Sequence, residues 1–254
     1  MNLDSHLQIT LDIVYEAGRL TLGYFMRGIA VERKGDSSPV TEADRGAEQY
    51  LRKALKARFP ADGLIGEEFG NEPGTSGLTW IIDPIDGTKS FTHGVPIYGC
   101  LLALVNEANE PLVGIAHFPA LNESIYARKG GGAFWNGRPA RVSNVSHLAD
   151  AVALCSDMNN WTGREDAWDR IVQATYFQRT WGDSYGYALV ATGRAEIMVD
   201  GWMAIWDSAP FGVILPEAGG TFTDWKGVGR IDGGESIATN GTLFSAVHEL
   251  LKPR

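Results

Sequence analysis

The chain has 254 residues and a formal net charge of −9, with 44% apolar and 21% charged residues. These are the proportions of an ordinary globular protein long enough to bury a sizeable core. No run approaches the roughly 20 apolar residues of a membrane span, and the acidic balance argues against nucleic acid as a partner, which calls for a basic face.

The start, MNLDSHLQIT, has no basic segment followed by an apolar one, so no signal peptide is expected. From Asp4 to Met26, apolar residues recur at helical spacing (Leu7, Leu11, Val14, Tyr15, Ala17) and predict a helix. VERKGDSSPV (31–40) follows as a short strand or hairpin with a loop. TEADRGAEQYLRKALKARF (41–59) is an amphipathic helix in which Thr41 and Asp44 have the form of a capping box. GLIGEEFG (63–70) is a short apolar stretch running into Glu67 and Glu68. Strands are predicted at 79–83, 97–105, 112–117 and 123–128, separated by Gly, Asn and Pro. The glycine-rich RKGGGAFWNGRPARVS (128–143) lacks the strand–loop–helix setting of a nucleotide loop and reads as a hairpin. Beyond residue 148 the pattern alternates: strand 151–156, helix 163–174, strand 177–181, helix 184–192, strand 195–199, helix 206–217, strand 220–224. A meander followed by alternation predicts an α/β protein of layered sheets and helices in one compact unit, 1–254, with halves of about 1–147 and 148–254. Cys100 and Cys155 each stand in an apolar run and read as reduced, buried thiols of a cytoplasmic protein.

Five acidic residues stand at the edges of apolar elements rather than in charge runs: Glu67, Glu68, Asp83, Asp86 and Asp207. Singly, Asp207 could cap the helix after it, and Asp86 could be a turn residue before Gly87. Together they imply a counter-charge, because carboxylates converging at strand ends cost about several kcal/mol unless compensated. Mg²⁺, a hard cation that prefers oxygen ligands, compensates them, and the Pro84-Ile85 turn would present a carbonyl beside them. If a helix begins at Gly87-Thr88, its unpaired N–H groups face the same place, and Gly87 lets the backbone approach closely. An anion site beside a metal site predicts metal-assisted hydrolysis of a small-molecule phosphate monoester. Lys89 is expected in solvent, and the five histidines form no spaced cluster.

GEE (66–68), DPIDGT (83–88), WDSAPFGVILPEAGG (206–220) and PVTEAD (39–44) resemble the inositol monophosphatase superfamily of metal-dependent, lithium-sensitive phosphatases, over about residues 34 to 220. The resemblance implies a layered α/β/α/β/α sandwich and a homodimer. It also implies that Glu67, Asp83, the Ile85 carbonyl, Asp86 and Asp207 hold two or three Mg²⁺ ions per subunit. Thr88 would orient the attacking water together with Glu67, with Asp44 as the partner of Thr88. The N–H groups of Gly87 and Thr88 would cradle the phosphate, and Glu68 would stand behind the ligands.

GDSYGY (182–187), together with VERK (31–34), DPIDGTKSF (83–91) and FTDWKG (222–227), resembles the histidinol-phosphatase branch of that superfamily. This implies L-histidinol phosphate as the substrate and a place in histidine biosynthesis. The chemistry agrees, since an ammonium beside the phosphate calls for a carboxylate, and Asp183 and Asp200 remain beyond those assigned to metals. A partly desolvated ammonium–carboxylate pair would separate this substrate from a neutral polyol by about 1.5–3 kcal/mol. Trp181 or Tyr185 could pack on the imidazole. Asp183 could also cap the helix at 184–192, and Asp200 stands where the family commonly has glutamate. The alternative is an inositol-1-monophosphatase or a broad sugar-phosphate phosphatase. A bisphosphatase is disfavoured by the lack of a basic cluster for a second phosphate. From a different class, a catalytically silent, metal-dependent regulatory protein would not need the intact acid set and Thr88.

Overall fold

The computed structural model describes residues 2–35, 38–161 and 164–252. Asp36 and Ser37 of the predicted loop, and Gly163 at the predicted helix start, lie outside the described residues. The first half opens with α1 (Leu3–Tyr24), the short pair β1 (Glu32–Arg33) and β2 (Pro39–Val40), and α2 (Glu42–Arg58). Helix α1 buries Leu7, Ile13, Val14 and Ala17; Tyr15, expected on that stripe, lies off it and is 47% exposed. The capping box of α2 forms as predicted: the Thr41 hydroxyl accepts from Ala43 N–H at 3.1 Å, and Thr41 N–H donates to Asp44 Oδ2 at 2.8 Å.

β3 (Gly63–Gly66), β4 (Gly70–Glu72), β5 (Leu78–Asp86), the one-turn α3 (Thr88–Thr92), β6 (Gly99–Asn106), β7 (Pro111–Phe118), β8 (Glu123–Arg128), β9 (Gly132–Trp135) and β10 (Arg138–Pro139) follow. They build an eight-stranded sheet in the order β10-β9-β8-β7-β6-β5-β3-β4, antiparallel except for β3 beside β5. The glycine-rich segment is a hairpin, as expected. Asn136 (φ 47) and Gly137 (φ 78) at its tip both take the left-handed backbone that tight two-residue turns require.

The second half comprises β11 (Val152–Leu154), α4 (Glu165–Ala174), β12 (Phe177–Arg179), α5 (Ser184–Ala191), β13 (Ile197–Asp200), α6 (Ile205–Ser208), α7 (Phe211–Glu217), β14 (Thr221–Thr223), β15 (Ser236–Thr239) and α8 (Phe244–Leu251). Its sheet runs β12-β11-β13-β15-β14. The predicted helix 206–217 is two helices, because Pro210 has no N–H to continue the ladder. β15 and α8 were not predicted; each is short and lacks a long periodic pattern.

The layers are α1 and α2, the eight-stranded sheet, α5 with α7, the five-stranded sheet, then α4 with α8. Three apolar clusters fill the gaps between them, and the central one joins Leu101 and Phe118 of the first half to Tyr187, Met198 and Phe222 of the second. Contact there is close: a Cβ on Gly114 of β7 would stand 2.3 Å from Pro210 O. The α6–α7 break therefore sits on the large sheet, and this brings Asp207 to the end of β5.

Candidate active site

β5 ends in a bulge. Asp83 pairs with Leu101 and Asp86 with Gly99, so the Pro84-Ile85 step adds one residue to the strand. A bulge re-aims side chains, and here it turns both carboxylates to one side. Each is then held by a backbone donor: Ile85 N–H to Asp83 Oδ1 at 3.0 Å, and Ser184 N–H to Asp86 Oδ2 at 2.7 Å. Asp207 accepts from Ala204 N–H at 2.9 Å. It thus belongs to the first turn of α6 instead of capping the helix after it. Asp83, Asp86 and Asp207 present carboxylate oxygens within 4.8 Å of one another.

Burial, and then the neighbouring acids, hold Asp83 and Asp86 well above the ordinary carboxylate range. Burial chiefly, with Glu67 and Asp183, pushes Asp207 up to about 7. Two buried carboxylates and a partly buried one, all repelling one another, form an all-oxygen donor set fitted to a hard divalent cation, which would replace their protons.

Glu67 follows β3 and stands within hydrogen-bond reach of Asp83. Outside the tight triad, it accepts from Lys34 Nζ at 2.7 Å, and the same ammonium reaches Glu68 Oε1 at 2.5 Å. Burial opposes the charge on Lys34, but its bonds to the two glutamates outweigh that and raise its pKa. Glu68 and Glu67 therefore share the Lys34 ammonium.

Gly87 has φ +76, a conformation that favours glycine, and α3 starts from it. α3 is one turn long, so its first N–H groups, which lack intrahelical partners, matter more than its dipole. The Thr88 hydroxyl donates to Ile85 O at 3.0 Å and lies 3.4 Å from Asp44 Oδ1. Asp44 is buried, and burial raises its pKa although Thr41 bonds its other oxygen.

Asp183 occupies the N-cap position of α5 but makes no capping bond; its backbone is left-handed at φ +51, and its carboxylate reaches Gly87. Burial, and then Asp200, push its pKa up to about 6. Asp200 is the second carboxylate expected to meet the substrate. It lines the cleft, but both of its oxygens are taken, by Ser156 N–H (2.8 Å), Ser156 Oγ (2.8 Å) and Tyr187 Oη (2.7 Å). Ser156 Oγ in turn accepts from Asp183 N–H at 2.8 Å. Asp200 is thus linked through Ser156 to the backbone of Asp183.

Tyr185 and Trp181 also differ from expectation, for neither lines the cleft. Tyr185 sits edge-on to Phe118, and its hydroxyl bonds Glu123 at 3.1 Å, because the turn into α5 points it into the layer below. Trp181 faces Phe177 and is 45% exposed. The cleft, about 420 Å³, also takes in Lys34, Ser156, Trp202 and Trp206, which sequence reasoning gave no role. Ser156 ends a predicted strand and Lys34 lies in a quoted motif, so each carried a faint signal; Trp202 carried none. Lys89, expected in solvent, is exposed at the cleft mouth, 3.4 Å from Asp157.

The relatives of this chain place it among the phosphoric monoester hydrolases. More narrowly, this chain belongs to the inositol monophosphatase family, a metal-dependent family whose model matches residues 2–252. It is 44% identical over 236 residues to the histidinol-phosphatase of Chlorobaculum parvum, covering 92% of this chain and 91% of that one. It is 37% identical over 249 residues to the histidinol-phosphatase of Mycobacterium tuberculosis, covering 95% of each. The solved IMPase of Thermotoga maritima superposes with a TM-score of 0.89 at 32% identity, over 97% of this chain and 96% of that one. Among the described residues, no helix is long and apolar enough to cross a membrane.

Proposed function

We propose that this chain is a Mg²⁺-dependent phosphatase that converts L-histidinol phosphate to L-histidinol in histidine biosynthesis. The observation that carries the proposal is the Asp183 carboxylate held against Gly87, which places a negative charge beside the turn that binds phosphate. The substrate has its ammonium near its phosphate, and the two histidinol-phosphatase relatives support the same assignment. We place the enzyme in the cytoplasm as a lithium-sensitive homodimer, each chain working as one unit across both sheets.

Asp83, Asp86, Asp207, Glu67 and the Ile85 carbonyl would hold two or three Mg²⁺ ions. Bound there, the ions supply Lewis acidity, lowering the pKa of water and neutralising charge on the phosphate and the leaving oxygen. The remaining work falls to the chain. The N–H groups of Gly87 and Thr88 grip the phosphate. Thr88 donates its own proton to Ile85 O and so keeps lone pairs with which to accept from a water and aim it at phosphorus. Glu67, its pKa raised chiefly by burial, takes up the proton that the water loses. The water oxygen bonds to phosphorus as the bond to the alcohol oxygen breaks, in line and with no covalent enzyme intermediate; the leaving alkoxide takes a proton from solvent to become the alcohol, and Glu67 returns its own to solvent. Asp183 holds the substrate ammonium, and Asp200 keeps Asp183 in place through Ser156.

An inositol-1-monophosphatase or broad sugar-phosphate phosphatase is the second reading, favoured by the likeness to the Thermotoga maritima structure. The test is phosphate release with Mg²⁺ from L-histidinol phosphate and from inositol-1-phosphate, side by side. A preference of about 100-fold for histidinol phosphate, about 2.7 kcal/mol, is expected. No preference, or one for the inositol ester, would overturn the substrate assignment and leave the metal chemistry standing.

A further inference from the structure

Trp202 is 62% exposed, yet it lines the same cleft as Asp183 and Asp207. A lone exposed apolar side chain on an open surface needs no explanation; a tryptophan at the rim of an active-site cleft does. The chain on either side of it is anchored. Asp200 is tied to Ser156 and Tyr187, Met203 N–H donates to Gly234 O at 2.8 Å, and Ala204 N–H donates to Asp207 at 2.9 Å. The Met203 side chain is buried, with its Sδ 3.0 Å from Tyr187 Oη. The indole is therefore displayed by a fixed loop. Among the described residues no ring or guanidinium stacks on it. The other aromatic residues of the cleft are committed elsewhere, since Trp206 packs on the central core and Tyr187 is fully buried within it.

We propose that Trp202 is the platform for the imidazole ring of the substrate and so sets the specificity of the site. This rests on the reading of L-histidinol phosphate as substrate. Three groups must be met: phosphate by the Gly87-Thr88 turn, ammonium by Asp183, and a flat ring by a flat ring. An imidazole that is in part protonated near neutral pH is attracted to an indole face both by stacking and by its charge. A cyclohexane polyol can lay only a C–H face on the indole and brings neither a π system nor a charge, so it gains less there.

The experiment compares wild type, Trp202→Ala and Trp202→Phe on L-histidinol phosphate and inositol-1-phosphate with Mg²⁺. Trp202→Ala should lower the ratio of the two kcat/KM values by roughly tenfold, mainly through KM for histidinol phosphate, and Trp202→Phe should restore most of it. L-Histidinol added to the wild-type enzyme should change tryptophan emission, and the change should be lost in Trp202→Phe. If wild type prefers histidinol phosphate but Trp202→Ala leaves the ratio unchanged, or lowers both values equally, the platform is refuted and the substrate assignment stands. If wild type shows no preference, the substrate assignment fails and the platform falls with it.

Discussion

The carboxylate of Asp183 rests against the backbone of Gly87: a Cβ built on Gly87 would stand 2.8 Å from Asp183 Oδ2. Gly87 begins α3 and Asp183 begins α5, so on the proposed function the contact would set the spacing between the groups that meet the phosphate and the ammonium. Gly87→Ala would both strain a backbone at φ +76, at about 1–2 kcal/mol, and push Asp183 away. We expect kcat/KM to fall by at least roughly 100-fold on any phosphate ester, since displacements near 1 Å cost that much. Steady-state kinetics with native-like melting would establish it, and an unimpaired variant would mean that the turn does not hold phosphate.

Asp183→Ala should separate the two substrates. The ammonium pair predicts a loss of roughly 10- to 150-fold in kcat/KM on L-histidinol phosphate, with a much smaller loss on inositol-1-phosphate. Equal losses on both would reduce Asp183 to shaping the start of α5.

Removing divalent cations should make stability depend on pH in one direction. Asp207 has its pKa raised, chiefly by burial, from 3.8 to about 7, so the folded protein binds more protons than the unfolded chain in that window. Its stabilising contribution is complete below the unfolded value and is lost as pH rises through the folded value; Asp83 and Asp86, also raised, extend the loss upward. The metal-free protein should therefore melt lower at about pH 8 than at about pH 5, and Mg²⁺ should remove the decline by binding the ionised carboxylates. A flat metal-free curve would contradict this. Asp83→Asn should weaken the decline and cut activity by about 1,000-fold or more; full phosphatase activity in that variant would end the metal account.

Lys34→Met tests the ammonium between Glu67 and Glu68. Without it, the metal-free fold keeps two partly buried carboxylates uncompensated, at a cost of about 1–3 kcal/mol. Calorimetry should show a Tm drop of several degrees without cations and a smaller one in excess Mg²⁺. Identical melting of variant and wild type without cations would show the ion pair to be incidental.

The sequence by itself determined what is local. Thr41 and Asp44 are three residues apart and so meet across one helical turn. Asn136-Gly137 can take the backbone of a tight hairpin. Asp83, Asp86 and Gly87 are close enough in the chain for one bulge to turn them toward a single point, which is why the class of chemistry was legible before the fold. Only the tertiary structure decided which distant groups join them. Asp207 arrives because Gly114 lets the Pro210 break rest on the large sheet. Lys34 enters between two glutamates, Asp200 is taken up by Ser156 and Tyr187, and the exposed aromatic residue lining the cleft is Trp202 rather than Trp181 or Tyr185. The direction of a side chain leaving a strand or loop depends on what packs beneath it, and those partners come from the other sheet, far along the chain and absent from any local pattern.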